Sequence, residues 1–247
     1  MEIIKQITRA GNSSNVLLPK EWLGGIARVE LIEKPINIAE DVLKIMRPYL
    51  KSVLGIYLVG SYARSEETKE SDVDVLVITE GINKRIKKNK YDILLISESN
   101  LEDALKKNIL PILPMIKEAK PILNEKLIEK YRNLKPNKEN TKIILGVTKS
   151  SRKVCRESIK ISKELNEQVS DEIMYSLILG LRTLYVIDCL YKNKIPTTKG
   201  VKELSKKITG TEESYNAYLR TKNGKRTKSA ISPETAEKLN NYLLERL

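Results

Sequence analysis

The chain has 247 residues, with 45 basic and 32 acidic side chains, a formal net charge of +13 and no histidine. The lack of histidine excludes Ser-His-Asp and Cys-His catalysis, and two cysteines are too few for a four-ligand Cys/His zinc site within one chain. Any catalysis must therefore use carboxylates, lysines, hydroxyls and a bound cation such as Mg²⁺. The charge predicts a polyanionic partner, with simple solubility as the alternative.

The first section, residues 1–34, is predicted to form short β-strands. Apolar residues are spaced as in strands over residues 2–7, 15–19 and 27–32, and Gly11 and Asn12 supply a turn between the first two. So short a segment cannot bury a core of its own, so we expect it to pair with a second chain.

The second section, residues 35–135, alternates helix and strand, which predicts a small α/β domain. Apolar spacing predicts helices over 37–51 and 101–116, and apolar runs predict strands over 55–59, 73–79 and 91–96. The basic run at residues 84–90 is predicted to be a loop.

The third section, residues 136–247, begins with a predicted linker at 136–140 and continues as helices. It holds 22 basic against 13 acidic side chains, so most of the excess positive charge lies here. The predicted helices cover residues 142–168, 171–191, 199–208, 212–220 and 233–246. Together the sections predict an α+β protein: a small mixed-sheet domain, preceded by a β-hairpin dimerisation segment and followed by a helical bundle.

The segment over residues 173–191 is the most hydrophobic in the chain. Arg182 and Asp188 interrupt it, and the N-terminus shows no apolar signal core, so we expect no membrane span and a cytoplasmic location. In such a protein Cys155 and Cys189 are predicted to be buried free thiols.

Three carboxylates and a Gly-Ser turn form the pattern that carries chemistry. Asp72 and Asp74 lie two residues apart on a predicted strand, so their side chains share one face, about 7 Å apart. Asp92 begins the next apolar strand, and Gly60-Ser61 follows a strand and can present backbone N–H groups to a phosphate. Each feature alone is common, and a lone Asp-x-Asp is usually a solvated edge. Together they predict a Mg²⁺ and phosphate site.

This pattern resembles the signature of the DNA polymerase β nucleotidyltransferase superfamily, over about residues 36–130. Gly60-Ser61, ten intervening residues and Asp72-x-Asp74 match it, and the small archaeal and bacterial minimal nucleotidyltransferases are the most similar branch. Ser65 departs from that branch, where glycine is usual, so we expect an altered loop geometry and retained catalysis.

The resemblance implies roles for individual residues. Asp72 and Asp74 would bind two Mg²⁺ ions, with Mn²⁺ as an alternative, that bridge a nucleoside triphosphate, and Asp92 would help to activate an acceptor hydroxyl. Gly60 and Ser61 would hold phosphate oxygens, with Arg64 as a further phosphate contact. A nucleoside monophosphate would be transferred and pyrophosphate released.

The N-terminal section is similar to the AbrB-type swapped-hairpin domain in its Gly-Asn-Ser turn and its Leu-Pro-Lys-Glu-Trp-Leu segment, Leu18–Leu23. Proteins of that family interleave hairpins from two chains, which implies a homodimer, and often bind DNA. Lys5, Arg9 and Asn12 are the candidate DNA contacts. The small net charge of this section leaves pure dimerisation open.

The C-terminal helices resemble, weakly, the HEPN-type bundles that accompany minimal nucleotidyltransferases. Active ribonucleases of that kind need a histidine, so RNA cleavage is not expected here. A basic run after Tyr215 and Tyr218 could bind RNA phosphates and stack a base, with a solvated loop as the alternative. Its candidate contacts are Arg220, Lys222, Lys225 and Arg226.

The sequence therefore predicts a metal-dependent nucleotidyltransferase that uses a nucleoside triphosphate and a hydroxyl acceptor. tRNA, a protein hydroxyl and a small molecule such as an aminoglycoside are the acceptors left open. The alternative is a DNA-binding, antitoxin-like regulator whose nucleotidyltransferase fold is not catalytic.

Overall fold

The computed structural model describes residues 2–32, 37–225 and 230–247. It divides into two compact units, Met1–Asn37 and Ile38–Leu247.

The first unit contains one short hairpin. Strands β1 (Thr8–Ala10) and β2 (Ser13–Asn15) pair antiparallel around Gly11, whose φ of 59° suits the turn, and a single 3₁₀ turn follows at Lys20–Trp22. The predicted strands over residues 2–7 and 27–32 are wrong for the described residues, and the strand predicted over 15–19 ends at Asn15. Their apolar side chains have nothing to pack on within so small a unit, so the alternating pattern alone does not produce strands.

The second unit is built on a mixed sheet with, among the described residues, five strands. They are β3 (Val53–Val59), β4 (Val73–Thr79), β5 (Lys84–Lys88), β6 (Tyr91–Ser97) and β7 (Lys120–Leu123). Their order in the sheet is β5-β6-β4-β3-β7. Strands β4 and β6 are parallel, and the other neighbours are antiparallel. The strands predicted over residues 55–59, 73–79 and 91–96 are confirmed.

Helices cover both faces of this sheet. They are α1 (Ile38–Met46), α2 (Gly60–Arg64), α3 (Glu98–Lys107), α4 (Leu113–Glu118) and α5 (Glu125–Arg132). Helix α1 packs on one face and continues into a 3₁₀ segment, Arg47–Ser52, where Pro48 interrupts α-helical hydrogen bonding. The other face carries an apolar core shared with α3, α4 and α5.

The loop predicted for the basic run at residues 84–90 is wrong for its first five residues, which form the edge strand β5. Ile86 packs against the core beneath the sheet, while its charged neighbours remain exposed to solvent. Lysines and arginines are well tolerated on an edge strand because they discourage pairing with another chain. A single apolar residue among several cations resembles a loop until the neighbouring strand is known.

The C-terminal region is helical, as predicted, and the fold as a whole is of the predicted mixed α and β kind. Its helices are α6 (Lys138–Glu164), α7 (Asp171–Tyr191), α8 (Thr198–Thr209), α9 (Glu213–Lys222) and α10 (Pro233–Leu244). The predicted linker is wrong at its C-terminal end, because Asn137 and Asn140 form a capping box that starts α6. Asn140 is buried and donates to the Leu105 carbonyl at 3.3 Å.

Helix α7 is the central helix of this region. By length and composition alone it could cross a membrane, but half of its most apolar stretch is buried inside the protein. It packs against α6, α8, α9 and α10 in one apolar cluster, which is the pattern of a core helix. Cys155 and Cys189 are buried and unbonded to each other, as predicted.

Candidate active site

The Gly-Ser turn begins where strand β3 ends. Gly60 has a φ of 72°, a left-handed conformation that favours glycine, and starts the short helix α2. A Cβ added to Gly60 would lie 2.9 Å from the Asp74 Cβ and would overlap the Asp74 carboxylate. The turn is therefore packed directly on the carboxylate-bearing strand, at a distance that only glycine allows.

Two of the three predicted carboxylates are neighbours on one face of the sheet. Asp74 on β4 and Asp92 on the parallel strand β6 are register partners, so their Cα atoms are direct neighbours across the ladder. Parallel neighbours are separated by about 4.8 Å. Asp72 immediately precedes β4, two residues before Asp74, and is exposed. The sheet thus brings together the pair that the sequence placed on two separate strands.

Asp74 lies in a region of concentrated negative charge. Burial raises the pKa of its carboxyl group, and the negative charges of Asp92 and Asp72 raise it further, against a smaller opposing effect of Arg85 and Arg64. A carboxylate in this position is stabilised by any nearby cation, which is the environment expected of a metal ligand.

Asp92 is neutralised by side chains of the neighbouring edge strand. Nε and Nη2 of Arg85 donate to its two carboxylate oxygens at 2.6 and 2.7 Å, and Nζ of Lys87 lies 3.4 Å from Oδ2. The bonds from Arg85 hold the pKa of Asp92 below its usual range. The sequence did not predict these ion pairs, because Arg85 and Lys87 were expected on a loop. The signal that could have found it was the alternation of Arg85, Ile86 and Lys87.

Glu118, at the end of α4, is a further site residue that the sequence did not reveal. It is buried, and its Oε1 accepts a hydrogen bond from the Gly60 backbone N–H at 2.6 Å. Its Oε2 pairs with Nη1 of Arg64, whose Nε also donates to Glu66 at 2.8 Å. Burial raises the pKa of Glu118 despite these bonds. The Gly60 N–H and Arg64, both predicted to hold phosphate, are therefore engaged by acidic groups of the protein itself.

Glu118→Ala is expected to lower the free energy of unfolding by about 3 kcal/mol, because it leaves the partly buried Arg64 and the Gly60 N–H without their acceptor. Urea unfolding at constant m-value measures the change. Glu67→Ala, which removes an exposed carboxylate from the loop after α2, is the matched control and should change stability by less than about 0.5 kcal/mol. Equal effects of the two substitutions would contradict the bridging role.

The backbone at Ser65 adopts the conformation that a glycine would favour. It caps α2 with φ 56° and ψ 39°, in the left-handed region. The serine therefore carries some backbone strain at this position.

The three acidic side chains suit an oxygen-binding metal ion by their chemistry. Asp74 and Asp92 are register partners on adjacent strands, and Asp72 lies two residues before Asp74. In the part of the chain that the structure describes, no three acidic or thiol side chains are grouped closely enough to hold a metal ion as they stand. The fit is therefore one of residue type and register, and Asp92 would have to exchange its present partners.

The predicted RNA contacts lie at the end of α9. Arg220 donates to Asp171 at 2.6 and 2.9 Å and to Glu213 at 2.6 Å, so its guanidinium ties α9 to α7. Lys222 and Lys225 are exposed, and Arg226 lies outside the described residues.

The prediction that Tyr215 and Tyr218 stack on a base is wrong. Both are buried, and the Tyr218 ring stacks on Tyr175 with centroids 5.3 Å apart. Their spacing on the helix reflects core packing, which the sequence could not distinguish from a binding surface.

The predicted DNA contacts all lie in the first unit. Lys5, Arg9 and Asn12 are exposed, and Nε of Arg9 donates to the Gly11 carbonyl at 3.1 Å within the hairpin.

Comparison with known proteins agrees with this geometry. Residues 39–145 match the family model described as the nucleotidyltransferase domain. This range contains the Gly-Ser turn, all three carboxylates and Glu118. Residues 39–145 are thus similar to a nucleotidyltransferase domain, which is the class of domain that the Gly-Ser turn and the carboxylate-bearing strands resemble.

Two solved structures resemble the chain at low identity. A nucleotidyltransferase-like protein from Exiguobacterium sibiricum is 18% identical, with a TM-score of 0.40, over 85% of this chain and 75% of its own. A spectinomycin adenyltransferase from Enterococcus faecialis is 17% identical, with a TM-score of 0.45, over 84% of this chain and 96% of its own. No curated protein matches the sequence.

Proposed function

We propose that this protein transfers a nucleoside monophosphate from a nucleoside triphosphate to a hydroxyl acceptor, with release of pyrophosphate. The observation that carries the proposal is the register of Asp74 with Asp92, next to a glycine turn packed on Asp74. The match of residues 39–145 to the nucleotidyltransferase domain supports the reaction class.

Asp72, Asp74 and Asp92 would hold Mg²⁺, or Mn²⁺ in its place. When bound, such an ion supplies positive charge to the phosphoryl oxygens and lowers the pKa of an attacking hydroxyl. The protein's own part is to fix Asp74 and Asp92 on neighbouring strands. Because β4 and β6 are central in the sheet, their positions are set by hydrogen bonds on both sides.

The Gly-Ser turn would hold the phosphates beside these carboxylates. The Gly60 N–H already donates a hydrogen bond to Glu118. Of Gly60 and Ser61, Ser61 is therefore better placed to contact phosphate. Glu118 would act by holding the turn against the sheet.

The helical region would bind the acceptor. Residues 136–247 carry most of the positive charge, which favours an RNA acceptor such as tRNA over a protein or an aminoglycoside. Helix α8 adjoins the Gly-Ser turn, because the Thr198 N–H donates to Glu66 at 3.2 Å and Glu66 also binds Arg64. An acceptor held by the helices would therefore lie close to the site.

The test is incubation of the purified protein with each α-labelled nucleoside triphosphate and Mg²⁺, with total cellular RNA and protein as acceptors. Label is expected in a macromolecule and to be lost on chelation of the metal. Absence of transfer to any acceptor class, including small molecules, would overturn the proposal.

A second candidate function is a DNA-binding regulator with a non-catalytic nucleotidyltransferase fold, for which the AbrB-like hairpin would supply the DNA contacts. One observation favours it: Asp92 is held in ion pairs by Arg85 and Lys87, and a carboxylate engaged in this way is a poorer metal ligand. Operator binding without nucleotide turnover would identify this function.

The first unit is proposed to form a homodimer through its exposed apolar residues. Leu17 is 73% exposed, Leu23 90% and Ile26 104%, and a swapped hairpin of two chains would cover such a surface. Leu17→Asp is expected to raise the dimer dissociation constant at least about tenfold, because it places a charge in an apolar interface. Analytical ultracentrifugation measures this constant.

Asn12→Asp is the control, since it adds the same charge at the exposed hairpin turn. A monomeric wild-type protein at micromolar concentration, or equal dissociation constants for the two variants, would contradict dimerisation through this surface.

A further inference from the structure

The edge strand β5 presents different cations on its two faces. Arg85 and Lys87 alternate with Ile86, so they lie on the carboxylate face while Ile86 packs into the core on the other side. Lys84 lies on the Ile86 side, where its Nζ is 3.2 Å from the Tyr49 hydroxyl. Only part of this basic strand therefore faces the candidate active site.

The ion pair between Arg85 and Asp92 joins an exposed side chain to a buried one. The Arg85 side chain is 63% exposed, while that of Asp92 is 9% exposed and belongs to an inner strand. The guanidinium binds both carboxylate oxygens, and a carboxylate bound in this way presents few lone pairs to a metal ion. Arg85 can move into solvent with little cost in packing, whereas Asp92 cannot.

We propose that Arg85, assisted by Lys87, is an exchangeable counter-ion of Asp92 that moves from this carboxylate to the phosphate oxygens when metal and nucleoside triphosphate bind together. This inference rests on the proposed function and adds a residue to it. The incoming metal would replace the positive charge beside Asp92, and the triphosphate would provide the anion that the released guanidinium needs. Arg85 would thereby couple binding of the metal to binding of the nucleotide.

The proposal predicts opposite effects of one substitution on two ligands. Arg85→Gln is expected to increase the Mn²⁺ affinity of the nucleotide-free protein about tenfold, because Asp92 no longer has to leave its strongest partner. The same change is expected to raise the KM for the nucleoside triphosphate about tenfold, because a phosphate contact is lost. Electron paramagnetic resonance of free Mn²⁺ measures the first effect without any turnover.

Lys88→Gln is the matched control, because Lys88 is an exposed residue of the same strand on the opposite face and the change in net charge is identical. It should leave the Mn²⁺ affinity within about twofold. The gain in the Arg85 variant should also disappear when Asp92→Asn is added, since the effect acts through that carboxylate. Thermal unfolding of each variant confirms that the fold is retained.

Equal Mn²⁺ affinities of Arg85→Gln and Lys88→Gln would overturn the proposal, as would a gain that persists in the Asp92→Asn background. Either outcome leaves nucleotide transfer by the wild-type protein unaffected. Conversely, an absence of transfer by the wild-type protein would overturn the proposed function, and the Mn²⁺ measurements would then report on the carboxylate pair alone.

Discussion

Asp74→Asn is expected to lower the rate of the proposed metal-dependent nucleotide transfer about a thousandfold or more, because it removes a proposed metal ligand at the centre of the candidate site. Asp74 is the carboxylate packed against the Gly-Ser turn, and it pairs in register with Asp92, which places it between the turn and the second carboxylate. Incorporation of label from an α-labelled nucleoside triphosphate at saturating Mg²⁺ measures the effect.

The stability of the Asp74→Asn variant should increase or stay unchanged, although its activity falls. Burial and two like charges raise the pKa of Asp74, which means that its ionised form is unfavourable in the folded protein without metal. The neutral amide removes that repulsion, so the urea midpoint of the variant is expected to equal or exceed that of the wild-type protein. Loss of activity with retained stability separates a role in the reaction from a role in folding.

Asp103→Asn provides the control, because Asp103 is an exposed acid on α3 whose partner Lys107 lies one turn away. It should retain activity within about twofold. Unchanged transfer by the Asp74 variant, or equal losses in both variants, would remove Asp74 from the reaction.

Gly60→Ala is expected to reduce both stability and activity. The left-handed φ of 72° and the overlap of an added Cβ with Asp74 should together cost about 2–4 kcal/mol of unfolding free energy. Relief of the overlap would shift the turn or Asp74, and a displacement of about 1 Å at a catalytic group can lower the rate about a hundredfold. Denaturant unfolding and the transfer assay measure the two effects.

The matched substitution is Gly81→Ala, at an exposed bend after β4. No atom lies within 4 Å of the Cβ that it would add, so stability should change by less than about 0.5 kcal/mol and activity should be retained. If Gly60→Ala behaved like Gly81→Ala, the close packing of the turn on Asp74 would not matter to the site.

Patterns local in the sequence were predicted well. Strand β4 was found to the residue because a short apolar run bounded by polar residues is typical of a strand buried on both faces. The helix over residues 171–191 was found from its length and apolar content, and Ser232 with Pro233 marked the start of α10. The predictions of N-terminal strands over residues 2–7 and 27–32 were wrong, because strand formation depends on partner strands, which the described residues of this unit do not supply there.

The acidic residues of the candidate site were predicted from the sequence, but Arg85, which binds one of them, and Glu118, which binds the Gly-Ser turn, were not. Glu118 and Arg85 are separated from their partners by many residues or by a hairpin, and nothing in their local sequence shows the contact. The prediction that Tyr215 and Tyr218 stack on a base was wrong for a related reason. In a sequence, an aromatic pair beside a basic run has the same pattern whether it faces solvent or a core.

The lack of histidine and the spacing from Gly60-Ser61 to Asp72-x-Asp74 indicated, without any structure, a chemistry based on carboxylates and a bound cation. The alternation of residues along a strand is enough to place Asp72 and Asp74 on one face. Only the tertiary structure decided that Asp92 lies beside Asp74, that Glu118 accepts a hydrogen bond from the Gly60 N–H and that Arg85 neutralises Asp92. Those relations depend on strand order and register, which are set by packing of the whole sheet and not by any local segment.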